Sequence, residues 1–566
     1  VAAVLILAGC GGSSGGGGGS DTKPVPTDVI VSGEVTFDYV PAVVGVGLDY
    51  ANTESRPVRG ATVELIAADD DSVLASARTD DAGRYNATVP SQTNVFVRVK
   101  AENVQTGSPA WDYRVLDNTN SDVLYALDGA AFDSGVADST RDLHAASGWQ
   151  GSSYAAPRSA APFAILDTVE QATDFVLASE PGLVFPPLRL HWSPDNAPTD
   201  GTPDLGAGEL TSSFYRRVDG LSGVISRDIY LLGAENDDTD EYDRHVIAHE
   251  WGHYFADAFS RDDNIGGPHT YGDQLDMRTA FGEGWGNAFS AMATGDSVYT
   301  DTLGVKQAHG FKFDLEGENP LNPGWFSEQS VQEILYDLFD ATPDLNDSVS
   351  LGFGPLYDVM TRQQRDTLAL TSIFPFIVGL EADIPAGEAS QIPALLTAQD
   401  MDDIVDAYGS QQTNAGDPTN GDPPSGDVLP IYRDAAVNGT PLNVCSTDAF
   451  ESPTTGAVNK LGSRQFIRFN VPTAESYTMT ATATDVPAGQ VADPDMVLHE
   501  GDVVGRSDGP PTCEVGDPPA QCMETFTQTL AAGDYVLEVY EWTNTTADPD
   551  YPPIGRTCFD VEVTTP

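Results

Sequence analysis

Two of the eight histidines in this 566-residue chain stand four residues apart with a glutamate beside the first, in the run His249-Glu250-Trp251-Gly252-His253. On a helix that spacing puts both imidazoles on one face, one turn apart, so both can reach a single ion. Histidine nitrogens bind zinc at about 2.0–2.1 Å. Glu250 would lie near such a metal without needing to bind it, and could take a proton from a metal-activated water. Val246, Ile247, Ala248, Tyr254 and Phe255 flank the run and are apolar, as a buried helix requires. Asp243 or Asp240 stands where a helix cap belongs. In so histidine-poor a chain, HExxH by chance is expected about once in a hundred sequences.

A catalytic zinc needs a third protein ligand and an open position. Glu283 is the candidate, in the segment Ala280-Phe281-Gly282-Glu283-Gly284-Trp285-Gly286-Asn287-Ala288-Phe289. That segment is predicted to be a second buried helix packed on the first. A carboxylate inside it is costly unless paired or metal-bound. HEWGH followed by GEGWGN resembles the gluzincin metallopeptidases, particularly the fungalysin-like and thermolysin-like branches. The resemblance is concentrated in residues 240–295. It implies a zincin catalytic domain with His249, His253 and Glu283 as zinc ligands and Glu250 as general base. Four residues after the ligand Glu these families commonly place an Asp that orients a ligand His. Here it is Asn287, expected to accept a hydrogen bond from His249 or His253.

An oxyanion stabiliser is also expected. His269, Tyr271 and His309 are candidates, with His269 and Tyr271 preferred because they lie in the Gly/Pro-rich loop between the two helices. His245 lies two turns before His253, about 12 Å along the axis, too far to share the metal. His144, His191 and His499 read as structural. The strand 225–232 is expected to be the edge on which a peptide substrate pairs. The acidic run 235–241 has a composition that can bind Ca2+, although a solvated loop is the favoured reading.

The elements around the motif fall into blocks, predicting a multidomain α+β chain. Residues 30–104 alternate apolar and polar in short runs, as in an antiparallel sandwich, and the expected β-sandwich domain spans 30–130. Pro57–Val63 and Thr79–Tyr85 resemble the carboxypeptidase-regulatory-like sandwich, which implies a non-catalytic module. Residues 131–408 form the expected mostly helical zincin domain with a small sheet, its first helix near Pro162 marked by Phe163, Leu166, Val169, Ala172 and Val176. Residues 409–427 read as a linker. Strands return over 428–566. There Asp493-Pro494-Asp495-Met496-Val497-Leu498 and Leu530-Ala531-Ala532-Gly533-Asp534-Tyr535 resemble the pre-peptidase C-terminal sandwich appended to many secreted bacterial peptidases.

The N-terminus carries an address. Residues 1–9 are apolar, too short to span a bilayer, and lead into Leu7-Ala8-Gly9-Cys10. This resembles the lipobox of bacterial lipoproteins. It implies a signal-peptide remnant at 1–9, a lipid on Cys10 and a Gly/Ser-rich tether over 10–29, with the lipid as the sole membrane contact. Of five cysteines, the other four lie in the last quarter. The expected pairs are Cys513–Cys522 and Cys445–Cys558, in keeping with export. A formal charge of −59 excludes a nucleic-acid partner. Taken together, the expectation is a secreted or envelope-anchored bacterial zinc endopeptidase with one catalytic Zn2+ and protein or peptide substrates. The alternatives are an inactive surface adhesion protein and a zinc aminopeptidase.

Overall fold

A computed structural model describes residues 27–565 except 221–222, 318–319, 342–348, 421–424 and 549. The apolar leader, Cys10 and most of the expected tether lie outside the described residues. The protein mixes β-rich N- and C-terminal regions with a helical centre.

The first strand, Asp28–Tyr39, pairs antiparallel with Arg84–Pro90 and Glu54–Pro57 and parallel with Leu143–Ala145. Alternation is visible in Arg84–Pro90, where Tyr85, Ala87 and Val89 face the core and their neighbours face solvent. A larger sheet lies against it. Its main path runs Phe214–Gly220, Gly223–Leu231, Leu188–Trp192, Trp111–Asp117, Asn94–Gln105, Ala61–Ala67, Val73–Arg78. Leu188–Trp192 pairs parallel with Trp111–Asp117. The domain boundary expected at 130 therefore falls inside one continuous sheet. A parallel pair needs a long crossover, and helix α1 (Ala161–Leu177) supplies it. Pro162 sits in the first turn of α1, and Phe163, Leu166, Val169, Ala172 and Val176 are all buried.

Gly223–Leu231 has neighbours on both sides, so it is not the free edge that the sequence suggested. The outer strand on that side of the path is Phe214–Gly220.

Helices α2 (Arg244–Phe259), α3 (Met277–Thr294) and α4 (Glu328–Phe339) form the centre. Asp243 occupies the N-cap position of α2, but its side chain does not cap the helix. It turns away and accepts from Thr302 N and Oγ1, both at 2.8 Å. Helices α2 and α3 meet at two glycines: a Cβ on Gly252 would lie 3.3 Å from the Gly286 Cα. Around that contact Trp251 stacks on Phe289 and Phe255 on Trp285, with centroids 5.2 and 5.8 Å apart.

The C-terminal region is a sandwich of a five-stranded and a four-stranded sheet. Its core includes Ile467, Phe469, Leu498, Leu537 and Phe559. The expected disulfides Cys445–Cys558 and Cys513–Cys522 are both present, the first joining directly opposed residues of paired strands. The described part of the expected linker is packed rather than free: Trp325 Nε1 donates to Asn414 O at 3.0 Å, and Asp417 N to Gln274 Oε1 at 2.7 Å.

The sandwich docks on α3 through buried charge. Arg278 donates from Nη1 and Nη2 to Glu538 at 3.0 Å each, and Arg464 and His499 reach the same carboxylate. Burial alone would raise the Glu538 carboxyl. The Arg278 charge, the His499 hydrogen bond and the Arg464 charge outweigh it and hold the group well below the usual carboxylate range. Removing Glu538 would leave Arg464 and His499 without their buried carboxylate, while Arg278 keeps Asp276. Glu538→Ala should therefore cost about 3–5 kcal/mol of stability, read as a lowered midpoint in urea unfolding.

Candidate metal centre

His249, His253 and Glu283 converge. His249 Nε2 lies 3.1 Å from His253 Nε2 and 3.3 Å from Glu283 Oε2, and His253 Nε2 lies 3.6 Å from the same oxygen. Three ligands at zinc–ligand distances of about 2.05 Å in a tetrahedron would stand about 3.3 Å apart. The triangle has that size, and its donors are two imidazoles and a carboxylate. These side chains are arranged to hold a metal ion.

The helix contact explains how the triangle forms. Glycine at 286 lets the His249 ring lie against the α3 backbone, since a Cβ there would stand 2.7 Å from His249 Cε1. Glycine at 282 leaves room for Asn264, whose Nδ2 donates to Glu283 Oε1 at 3.0 Å and leaves Oε2 facing the imidazoles.

Asn287 lies one turn after Glu283. Its Oδ1 is 2.8 Å from His249 Nδ1, and its Nδ2 donates to Gln332 Oε1 at 2.8 Å. An oxygen acceptor at Nδ1 places the imidazole proton there and leaves the Nε2 lone pair toward the triangle. Gln332 Nε2 in turn donates to Tyr271 Oη at 2.9 Å. An Asp at 287 could accept from His249 but could not donate to Gln332. This chain of contacts is the structural context for the Asn.

His269 stands on the far side of Glu283, with Nε2 3.5 Å from both Glu283 Oε2 and Glu328 Oε2. Burial opposes charge on His269, but Glu283 and Glu328 outweigh it and push its pKa up to about 10. His253 is likewise raised to about 9 by Glu283 against burial. Burial would raise Glu283, yet the charges of His269 and His253 hold it well below the carboxylate range. Glu250 and Tyr271 border the same cleft as the triangle, and Tyr271 stacks on Phe313 at 4.6 Å.

His309 starts the strand His309–Asp314 and is exposed. His245 is bound away from the triangle, its Nε2 3.0 Å from Asp296 O. His144 bonds Thr36 and Asp38, His191 lies between Asp122 and Asp228, and His499 joins the Glu538 cluster.

The cleft measures about 2310 Å³. One wall comes from Phe214, Tyr215 and Arg217 of the outer strand, and another from Thr454–Val458 of the C-terminal region. That region also holds the loop carrying His269: Asn459 Nδ2 donates to Gly266 O and Gly267 O, and Lys460 Nζ to Pro268 O at 3.0 Å. Asn264, Gln332, Glu328, Asn459 and Lys460 carried no sequence signal, because each acts through a contact distant in the chain.

No protein-family model matches the chain, and no curated protein matches it. Some solved structures match in part. The pre-peptidase C-terminal domain of a collagenase from Bacillus anthracis is 12% identical, over 23% of this chain and 93% of that one, with a TM-score of 0.15. CorA, a surface-associated copper-binding protein of Methylomicrobium album, is 13% identical over 24% and 100%, also at 0.15. A 9R-lipoxygenase from Cyanothece is 12% identical over 29% and 26%, at 0.14. At these scores the likenesses carry no argument about fold or activity.

Asn287→Ala should weaken metal retention about 10–100-fold in a competition titration of added zinc with a chromophoric chelator. Metal must also displace the proton that Glu283 holds on His253. Zinc affinity should therefore climb as pH rises toward about 9, where that imidazole deprotonates unaided.

Proposed function

We propose that the chain is a zinc-dependent endopeptidase. The observation that carries this reading is the triangle of His249 Nε2, His253 Nε2 and Glu283 Oε2, with edges of 3.1, 3.3 and 3.6 Å, opening into a cleft bordered by Glu250. Two nitrogens and one oxygen suit zinc and leave a fourth position for substrate or water.

A bound zinc would supply Lewis acidity toward a carbonyl oxygen and acidify a water molecule. The remaining roles belong to the chain. His249, His253 and Glu283 bind the ion, Asn287 fixes the His249 tautomer, and Asn264 aims Glu283. Glu250 takes a proton from the attacking water and delivers it to the leaving nitrogen. His269, whose ring lies against Glu283, Glu328 and Gly267 O, contributes positive charge beside the position where negative charge develops on the carbonyl oxygen. Tyr271, whose hydroxyl is oriented by Gln332, is the donor.

The outer strand Phe214–Gly220 borders the cleft and, among the described residues, pairs with one neighbour, which supports its use as an edge for an extended peptide. A cleft of about 2310 Å³ bordered by an outer strand favours an internal bond over a terminal one. Cys10 and the apolar leader support export with a lipid anchor at a bacterial envelope, and the C-terminal disulfides agree with an oxidising compartment.

Glu250→Gln should keep about one zinc per chain and lose turnover by about 10²–10⁴-fold on casein. Undiminished cleavage by that variant would overturn the base assignment. A wild-type protein that binds zinc yet cleaves nothing would favour an adhesion role, and products shortened only at their N-termini an aminopeptidase.

A further inference from the structure

A second group of side chains outside the metal centre has the character of a cation site. The short strand Asp238–Thr239 pairs with Val298–Leu303, which follows α3. This brings Asp238, Asp240 and Asp301 together, with ligand oxygens all within 4.8 Å of one another. Two oxygens on one calcium ion, each bonded at about 2.4 Å, can be at most about 4.8 Å apart.

Asp240 is buried, Asp238 and Asp301 are partly buried, and the group has more carboxylate oxygens than donors. Asp240 is 2% exposed; one of its oxygens accepts from Ser213 Oγ and Oδ1 has no partner. Asp243, fully buried, gives Oδ2 to Thr302 and likewise has no partner at Oδ1. Asp238 Oδ1 and Asp301 Oδ1 are also buried without a donor. Among the charges acting on Asp238, Asp240 and Asp243, the strongest are other carboxylates of the group. Among the described residues no arginine or lysine pairs with any of the four, and nearby Arg158 is taken up by Glu241 and Gly233 O. Clustered carboxylates with unpartnered buried oxygens and no cation are strongly unfavourable. A hard divalent cation removes that conflict, and an all-oxygen set selects calcium over zinc.

We propose that Asp238, Asp240 and Asp301 bind a calcium ion, with Asp243 adding a fourth charge behind them. The ion pins the start of α2 to the strand leaving α3. Asp238, Asp240 and Asp301 border the cleft, which gives the ion a path from solvent. The same strand carries Tyr299, whose ring lies 6.3 Å from that of His249, so the ion supports the wall behind the zinc ligands. The site uses no residue of the proposed peptidase chemistry, and either can fail alone.

The test uses the full zinc-loaded chain, stripped of calcium on a chelating resin and then titrated with calcium up to ~5 mM, above the weakest extracellular calcium modules. Bound calcium is counted by equilibrium dialysis, and Tm is followed in parallel. The wild type should bind about one more calcium per chain than Asp240→Asn or Asp301→Asn. Its calcium-dependent rise in Tm should be lost in both variants. Without calcium the variants should melt no lower than wild type, since each removes a repelling charge. Terbium should show emission sensitised through Tyr299 and displaced by calcium in the wild type, a readout that needs no variant. Equal calcium counts in wild type and variants, or no terbium emission that calcium displaces, would overturn the proposal. Equal binding of magnesium would overturn the assignment to calcium.

Discussion

A carboxylate deep between two helices imposes the main constraint on this structure. Glu283 is 8% exposed and lies in α3 among Phe281, Trp285 and Phe289. An ionised group there is tolerated only if opposite charge or metal meets it. His249 and His253 can meet it because Gly252 and Gly286 bring α2 and α3 close, and because the stacked Trp251, Phe255, Trp285 and Phe289 fix how the helices cross. The packing and the chemistry are one arrangement. A bulkier residue at 286 would meet the His249 ring before it met anything else.

That constraint spreads outward through polar contacts that each complete another group. Asn264 occupies one oxygen of Glu283 and so frees the other. Asn287 ties His249 to Gln332, and Gln332 ties α4 to Tyr271. Lys460 and Asn459 belong to the C-terminal region, yet they hold the loop that carries His269. The Arg278–Glu538 pair seats that region on α3. The C-terminal sandwich thus forms part of the cleft instead of hanging from a linker.

Much of the centre could be read in advance because its signals are local. Four-residue spacing places His249 and His253 on one face, and a buried carboxylate in an apolar segment marks Glu283. Core helices and the Cys513–Cys522 pair are also local patterns, whereas Cys445 and Cys558 stand 113 residues apart. What escaped depends on partners far along the chain. The small sheet expected within 131–408 is not separate, because Leu188–Trp192 pairs parallel with Trp111–Asp117 and makes one sheet of two expected domains. Gly223–Leu231 looked like an edge because nothing in its residues shows that Phe214–Gly220 returns beside it. Asp243 looked like a cap until Thr302 offered it better donors. The acidic run 235–241 looked solvated, whereas Asp240 and Glu241 are buried.

A crystal structure of the zinc-soaked protein, with anomalous difference maps on both sides of the zinc absorption edge, addresses the geometry itself. The account predicts one strong peak within bonding distance of His249 Nε2, His253 Nε2 and Glu283, with Glu250 nearby and unbonded. A peak elsewhere, or an ion bound by the two histidines while Glu283 turns away, would mean that the three side chains do not form a metal centre.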